Sequence, residues 1–219
     1  MKKRINWVNH GIELVVVIIG ITIAFSLNNW RDGRQARKME QEYLQNMLAD
    51  LKVDRQKLHW ILADDSTRNQ HLDSLIFFTR QPEQASPKAV FTYYLSNNYY
   101  LPFKAEQTTY QIMTATGGLN LIGDFALRQQ VVQVYSQLYG GLASIDDALT
   151  EHCRNYTVDF FVTRMRFRQG EIADLAPLRD PMLQNILYGQ RGLVARRQEV
   201  YRLTLKQVET LIAEIENTL

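Results

Sequence analysis

The chain has 219 residues, of which 46% are hydrophobic and 22% are charged, so it is long enough for one domain with an appendage and too apolar to be disordered. Its 25 lysines and arginines against 23 aspartates and glutamates leave a net charge of +2, which gives no indication of a nucleic-acid partner. A single cysteine excludes an internal disulfide framework and a multi-cysteine metal site.

The N-terminal stretch is the most informative part of the sequence. No charged residue occurs from Leu14 to Leu27, and Trp7 and Trp30 flank this apolar run. On a helix the two tryptophans would lie about 34 Å apart, which matches the hydrocarbon core of a bilayer with an aromatic anchor at each interface. We therefore predict one transmembrane helix over 7–30, with the lipid bilayer as its partner.

The location and orientation follow from the flanking charges, which are nearly balanced. A short basic N-terminus before a long C-terminal domain is typical of a signal anchor. We predict a bacterial inner-membrane protein with a short cytoplasmic tail over 1–6 and a periplasmic, water-soluble helical-bundle domain over 31–219. A cleaved signal peptide is the alternative, because Ala24-Phe25-Ser26 resembles a cleavage site.

One face of the predicted transmembrane helix differs chemically from the rest. Spacings of four and three residues place five side chains along one stripe: Glu13, Val17, Gly20, Ala24 and Leu27. The small residues Gly20 and Ala24 would let a second helix approach closely, which predicts a homo-oligomer. A carboxylate at a membrane boundary is costly, so Glu13 has three interpretations: it reaches the headgroups, it forms a hydrogen bond within an oligomer, or it carries ions in a motor.

Two motifs give the chain a family resemblance. Six positions of the apolar run fit the pattern G-E-(apolar)-V-V-I-G-I-L-I-A-L-x-I-N-N-W, with Gly11 displaced by one residue: Glu13, Gly20, Ala24, Asn28, Asn29 and Trp30. The stretch T-T-Y-Q-I-M-T-A-T-G-G-L-N-L-I-G-D-F-A-L-R is similar to a second pattern, S-G-x-L-x-L-I-x-(D)-x-x-L-R. The chain thus resembles a large bacterial family of uncharacterised single-pass membrane proteins, which implies an architecture and no activity.

The rest of the chain has helical periodicity, with no convincing strand. A helix over 34–79 carries a heptad-like apolar seam that Asp54, Asp65 and Arg68 interrupt. Asp32-Gly33-Arg34-Gln35 resembles a capping box at its start; the alternative is a helix that runs straight on from Trp30 and forms a stalk of about 70 Å. Further helices are predicted over 87–98, 105–116, 125–165 and 193–217, with a short one after Asp180-Pro181 that Gly189 or Gly192 ends. Ser86 and Asp124 are predicted N-caps, and one glycine of Gly117-Gly118 is predicted to end its helix in the left-handed conformation. The predicted fold is all-α: a single N-terminal transmembrane helix followed by an antiparallel helical bundle with long helices.

No motif in the sequence indicates an enzyme. It contains no Gly-rich phosphate loop, no G-x-S-x-G motif and no histidine pair with metal-ligand spacing, so we expect no catalytic residues, no metal and no cofactor. The adjacent acidic pairs Asp64-Asp65 and Asp146-Asp147 are interpreted as solvated helix faces, since neighbouring positions on a helix do not face each other across a cleft.

Two groups of residues are candidate binding surfaces. Aromatic residues are dense around Pro102 and could form a ligand pocket, although core packing is their commoner role: Tyr93, Tyr94, Tyr99, Tyr100, Phe103 and Tyr110. Arginines near the C-terminus could bind an anionic partner, although ion pairs within the chain are the simpler interpretation: Arg164, Arg168, Arg196 and Arg197.

The leading hypothesis for function is a membrane-anchored structural or adaptor protein of the bacterial cell envelope. It would self-associate, have no catalytic activity of its own and have other envelope membrane proteins as further partners. One alternative is an envelope sensor whose aromatic pocket binds a ligand and which signals through a partner. Another is an ion-coupled motor subunit that uses Glu13.

Overall fold

The computed structural model describes the backbone of residues 7–219 and the side chains of residues 15–219. Seven α-helices account for most of this part of the chain: α1 (Trp7–Arg80), α2 (Pro87–Asn97), α3 (Thr108–Thr116), α4 (Phe125–Val132), α5 (Tyr139–His152), α6 (Asp159–Arg164) and α7 (Pro181–Thr218). The π-helical turns Gln133–Leu138 and Cys153–Val158 connect α4, α5 and α6 into one long rod, here called the α4–α6 helix. Short 3-10 turns lie at Pro82–Gln84, Gly118–Leu121 and Ala176–Arg179.

The predicted all-helical bundle is confirmed, and its core is built by three long helices. The C-terminal part of α1 packs beside α7, which runs antiparallel to it. In turn, α7 packs against the α4–α6 helix, which runs in the same direction as α1. That parallel arrangement is achieved because α2, α3 and the chain between them return along the bundle. Apolar side chains spaced three or four residues apart on each long helix form the core, as expected for amphipathic helices.

The core consists of two hydrophobic clusters, one at each end of the bundle. The first cluster takes most of its residues from Leu44–Ile61 of α1, Leu127–Leu142 of the α4–α6 helix and Tyr201–Ile215 of α7. The second takes most of them from Leu72–Ile76, Leu149–Phe161 and Leu183–Val194 of the same three helices. At the level between the clusters, each long helix contributes a buried charged residue: Asp65, Asp146 and Arg197.

Local signals at the helix ends are confirmed where they were predicted. The Ser86 hydroxyl accepts a hydrogen bond from the Ala89 amide and caps α2, and Asp124 accepts two from Ala126 and Leu127 and caps α4. Gly117 ends α3 in the left-handed conformation at φ +74°, which costs a glycine little.

Two predicted helix boundaries are wrong. The capping box at Asp32 does not start a helix, because α1 runs without interruption from Trp7 to Arg80, and the alternative of a helix that continues from Trp30 is confirmed. Gly189 and Gly192 do not end one either, since α7 continues from Pro181 to Thr218. In both cases the glycines lie inside a helix, where the neighbouring turns supply the backbone hydrogen bonds and the cost of a glycine is only about 1 kcal/mol.

A small hairpin lies where no strand was predicted. β1 (Phe167–Arg168) pairs antiparallel with β2 (Glu171–Ile172). The two turn residues, Gln169 and Gly170, have φ values of +47° and +84°, which is the geometry of a tight two-residue hairpin. Strands of two residues are too short to show an alternating pattern in a sequence.

The prediction of a transmembrane helix over 7–30 is also wrong. Within the described part of the chain, no helix is both long and apolar enough to cross a bilayer. The predicted tail over 1–6 and the side chains of Trp7 and Glu13 lie outside the described residues. The predicted cellular location stays a prediction.

Candidate functional site

A buried layer of charge holds the three long helices together at mid-height. We call Asp65, Asp146, Arg197 and Tyr201 the charge layer. The guanidinium of Arg197 donates through Nε to Asp146 Oδ1 at 2.7 Å and through Nη1 to Asp65. The hydroxyl of Tyr201 donates to Asp146 Oδ2 at 2.7 Å. Arg197 is only 1% exposed, so these bonds form away from water and break only at a large cost.

The electrostatics of the charge layer are unbalanced. Two carboxylates face one guanidinium, and Asp65 Oδ2 has no hydrogen-bond partner among the described residues. Burial raises the pKa of Asp65 to about 6, and the attraction of Arg197 only partly opposes this shift. The interpretation of the two acidic pairs as solvated faces is therefore wrong for Asp65 and Asp146, because α7 covers both with a buried arginine.

The charge layer also fixes a segment that has no regular secondary structure. The strap, residues 98–107, links α2 to α3. Side chains of the long helices form five hydrogen bonds with its backbone. Three cationic side chains donate to its carbonyl groups: Arg68 Nη1 to Tyr99 O at 2.7 Å, Arg197 Nη2 to Leu101 O at 2.5 Å and Lys57 Nζ to Lys104 O at 2.9 Å. Two carboxylates accept from its amides: Asp146 Oδ2 from Phe103 N at 2.8 Å and Asp54 Oδ1 from Glu106 N at 2.9 Å. Charged side chains thus replace the backbone partners that a helix or sheet would supply.

Asp54 is a second buried carboxylate that holds the strap. It is fully buried and accepts hydrogen bonds from the Glu106 amide and from the Tyr139 hydroxyl, each at 2.9 Å. Burial raises its pKa to about 6, against the opposing effects of these two hydrogen bonds and of Lys57. In the folded chain the Asp54 carboxyl therefore changes charge near pH 6.

The outer face of the strap and the adjacent turns of α1 form a groove of about 490 Å³, here called the Trp60 groove. Its lining is mostly apolar and includes two lysines: Gln56, Lys57, Trp60, Ile61, Tyr99, Leu101, Pro102 and Lys104. Trp60 is 56% exposed, which is high for the largest apolar side chain. Concave apolar surfaces of this size with a few polar groups are typical of ligand sites.

Comparison with known proteins places the chain in a family. Residues 13–156 match the model described as Family of unknown function (DUF6090). The chain belongs to DUF6090. The match confirms the expectation of a family of unknown function, and no curated protein and no solved structure matches the chain. The part that matches includes the strap, the Trp60 groove, Asp65 and Asp146, whereas Arg197 lies outside it.

In this DUF6090 chain the six predicted aromatic residues do not line one pocket. Two stack on rings in the core, Tyr94 on Phe161 and Tyr110 on Tyr135, with centroids 4.2 and 4.6 Å apart. The others lie in separate surroundings: Phe103 against Tyr139, Tyr100 bonded to Asn97, Tyr93 stacked on His71, and Tyr99 in the Trp60 groove. Tyr99 is thus the one member of the set in the groove. Trp60 could not be singled out from the sequence, because its partners in the groove come from the strap, about 40 positions later.

The four predicted arginines do not form one patch either. Arg164 and Arg168 are exposed at the end of α6 and in β1, and Arg196 pairs with Glu199 at 2.6 Å. Arg197 belongs to the buried charge layer and is not available to a partner. Among the described residues, no group of three histidine, cysteine, aspartate or glutamate side chains is arranged to hold a metal ion.

The predicted helix-packing stripe lies on an exposed part of α1. Val17, Gly20, Ala24 and Leu27 are all exposed, and no atom lies within 4 Å of the position that a Gly20 Cβ would take. The ring of Trp30 lies under the guanidinium of Arg34, whose Cζ is 4.9 Å from the ring centroid. Nothing in the described part of the chain covers this stretch.

Proposed function

We propose that this DUF6090 protein is a non-catalytic helical scaffold or adaptor that self-associates through the N-terminal part of α1. The observation that carries the proposal is the apolar arm, which we define as residues 15–30. Its large hydrophobic side chains are each 53–67% exposed, on every side of the helix. Monomeric soluble proteins rarely expose an apolar surface of this extent, and such surfaces mark interaction sites.

The energetics favour association of such arms. Burying one valine, isoleucine, leucine or phenylalanine side chain contributes about 1.5–3 kcal/mol. Association costs about 4–15 kcal/mol in lost translational and rotational freedom. A few side chains from each copy therefore offset the cost, and the arm has ten large apolar residues: Val15, Val16, Val17, Ile18, Ile19, Ile21, Ile23, Phe25, Leu27 and Trp30.

The geometry of α1 supports a second copy as the occupant. Gly20 and Ala24 leave a shallow strip on one side of the arm, where a second helix can approach closely. The bundle core begins at Leu44, so about 20 Å of polar helix separates it from Trp30. Two arms can therefore pair without contact between the bundles. Each assembly would then present several copies of the same bundle surface to partners in the cell envelope.

The resemblance of the arm to a recurring motif supports a shared role in DUF6090. The family match begins at Glu13 and includes the whole arm together with α2, α3 and α5. Five of the six motif positions lie in the arm: Gly20, Ala24, Asn28, Asn29 and Trp30. In this proposed function, the arm joins copies of the chain and the surface of the bundle binds partner proteins.

The test compares two equivalent substitutions on the same helix. Gly20→Leu fills the shallow strip beside Gly20 and Ala24. Gly33→Leu makes the same change in the polar part of α1 between the arm and the bundle, where a Cβ also has open space. Sedimentation velocity of the full chain in mild detergent should give an oligomer for the wild type and for Gly33→Leu, and a lower mass for Gly20→Leu. A monomeric wild type, including a monomer that partitions into lipid vesicles, or an unchanged Gly20→Leu oligomer would overturn the proposal.

A further inference from the structure

We propose that the Trp60 groove binds a small anionic amphiphile, an apolar chain or ring that carries a single carboxylate. This site is separate from the apolar arm, which lies in the exposed part of α1 before the bundle. Three properties of the groove support this: its apolar lining, the lysine Lys104 that makes no ion pair among the described residues, and the rigidity of its walls.

The apolar lining comes from two elements that converge. Trp60 and Ile61 lie on α1, and Tyr99, Leu101 and Pro102 lie on the strap. Three of these side chains are exposed in the groove, Trp60 at 56%, Tyr99 at 52% and Leu101 at 42%. The volume of about 490 Å³ lies within the range of about 300–1,000 Å³ that holds small ligands.

The charge of the groove selects the polar end of the ligand. Two lysines and no carboxylate are among the lining residues. Lys57 is already engaged, because its Nζ contacts Glu106 Oε1 at 2.6 Å and the Lys104 carbonyl at 2.9 Å. Lys104 makes no ion pair within the described part of the chain, and it is exposed. Its ammonium is the cation that can receive a carboxylate from a ligand.

Hydrogen bonds within the chain hold the walls of the groove in place without a ligand. The strap carries one wall, and the charge layer fixes it from behind through Leu101 O and Phe103 N. The bond from Lys57 to the Lys104 carbonyl fixes the backbone from which the Lys104 side chain extends. A preformed site loses little conformational freedom on binding, so more of the burial energy appears as affinity.

The fluorescence of Trp60 gives a direct test in the full chain. Trp7→Phe and Trp30→Phe remove the other two tryptophans, so that the emission reports on the groove alone. The probes are decanoate, decanol and decyltrimethylammonium; the two ions are kept below the concentration at which they form micelles, and decanol is kept below its solubility limit. Saturable binding of decanoate is expected, at least about tenfold tighter than that of the neutral and cationic probes.

Variants separate groove binding from general hydrophobicity. Lys104→Ala should weaken decanoate binding by about tenfold and leave decanol binding unchanged, and Leu101→Ser should weaken both. Lys88→Ala and Leu203→Ser are matched controls, because both residues are exposed outside the groove.

The proposal is overturned if decanoate produces no saturable change in Trp60 fluorescence, if the three probes bind equally, or if Lys104→Ala binds decanoate as tightly as the parent protein does. The oligomeric state is measured separately, so its outcome does not decide this one.

Discussion

Arg197 Nε lies 2.7 Å from Asp146 Oδ1, and this contact joins the middle of α7 to the middle of α5 inside the bundle. The same guanidinium reaches Asp65 on α1 and the Leu101 carbonyl of the strap. One side chain thus connects three helices and a segment without secondary structure. Because the fork of an arginine fixes the directions of its donors, the contact also sets the relative heights of these elements.

Removal of this arginine should be costly. Arg197→Ala leaves Asp65 and Asp146 buried without their cation, and we expect the free energy of unfolding to fall by about 3–5 kcal/mol. Urea denaturation followed by circular dichroism measures the loss. The neighbouring Arg196→Ala is a matched control, because Arg196 forms an exposed ion pair with Glu199 and its loss should cost less than about 1 kcal/mol. Equal effects of the two changes would contradict this role of Arg197.

Asp54 should make the stability of the bundle fall as the pH rises. Its pKa of about 6 in the folded chain is above the ordinary value of 3.8, so the folded state binds more protons than the unfolded state between these values. The stabilisation is therefore fully present below pH 3.8 and is lost as the pH rises through about 6.

The variant Asp54→Asn isolates this effect, because an amide does not titrate. Relative to the variant, the wild type should lose about 3 kcal/mol of unfolding free energy between pH 3.5 and pH 7. Guanidinium denaturation at a series of pH values measures both proteins. If the difference between them stays constant over this range, Asp54 does not have the raised pKa.

Gly189 should tolerate no side chain, because α7 approaches the α4–α6 helix there. A Cβ at this position would lie 2.9 Å from His152 Cε1, and the His152 ring is held by a 2.9 Å contact between its Nε2 and the Ile186 carbonyl. We expect Gly189→Ala to lower the unfolding free energy by about 1–2 kcal/mol. Gly192→Ala, one turn later with open space around it, should raise that free energy by about 0.5–1 kcal/mol. Thermal melts distinguish the two, and a stabilised Gly189→Ala would contradict the close approach.

Gly117 should be required for its backbone conformation alone. Its φ is +74°, and no atom lies near the position of a Cβ, so space is not the constraint. Gly117→Ala should therefore cost about 1–2 kcal/mol through backbone strain, with little change in the structure. The measurement is the urea midpoint with an unchanged denaturant slope. An unaffected midpoint would show that α3 ends without a left-handed residue.

Local sequence was sufficient to predict the helices and most of their ends. Ser86, Asp124 and Gly117 act on groups within three residues of themselves, so a short window of sequence contains both partners of each interaction. The apolar seams of α1 and α7 repeat every three or four residues, and this period alone gives the buried face of each helix. The same run of apolar residues at 15–27 indicated a helix, but it did not decide what surrounds that helix.

The tertiary structure decided which polar residues are buried and where the groove lies. Asp65 and Arg197 are separated by 132 positions, and Trp60 and Leu101 line one groove only because the strap runs alongside α1. Asp65 falls on the apolar seam of α1 between Ile61 and Leu72, so periodicity places it on the buried face. Local sequence does not record that its partner is Arg197 on another helix. Burial depends on the packing of distant elements. That packing places Asp65 and Asp146, which were expected at the surface, in the centre of the bundle.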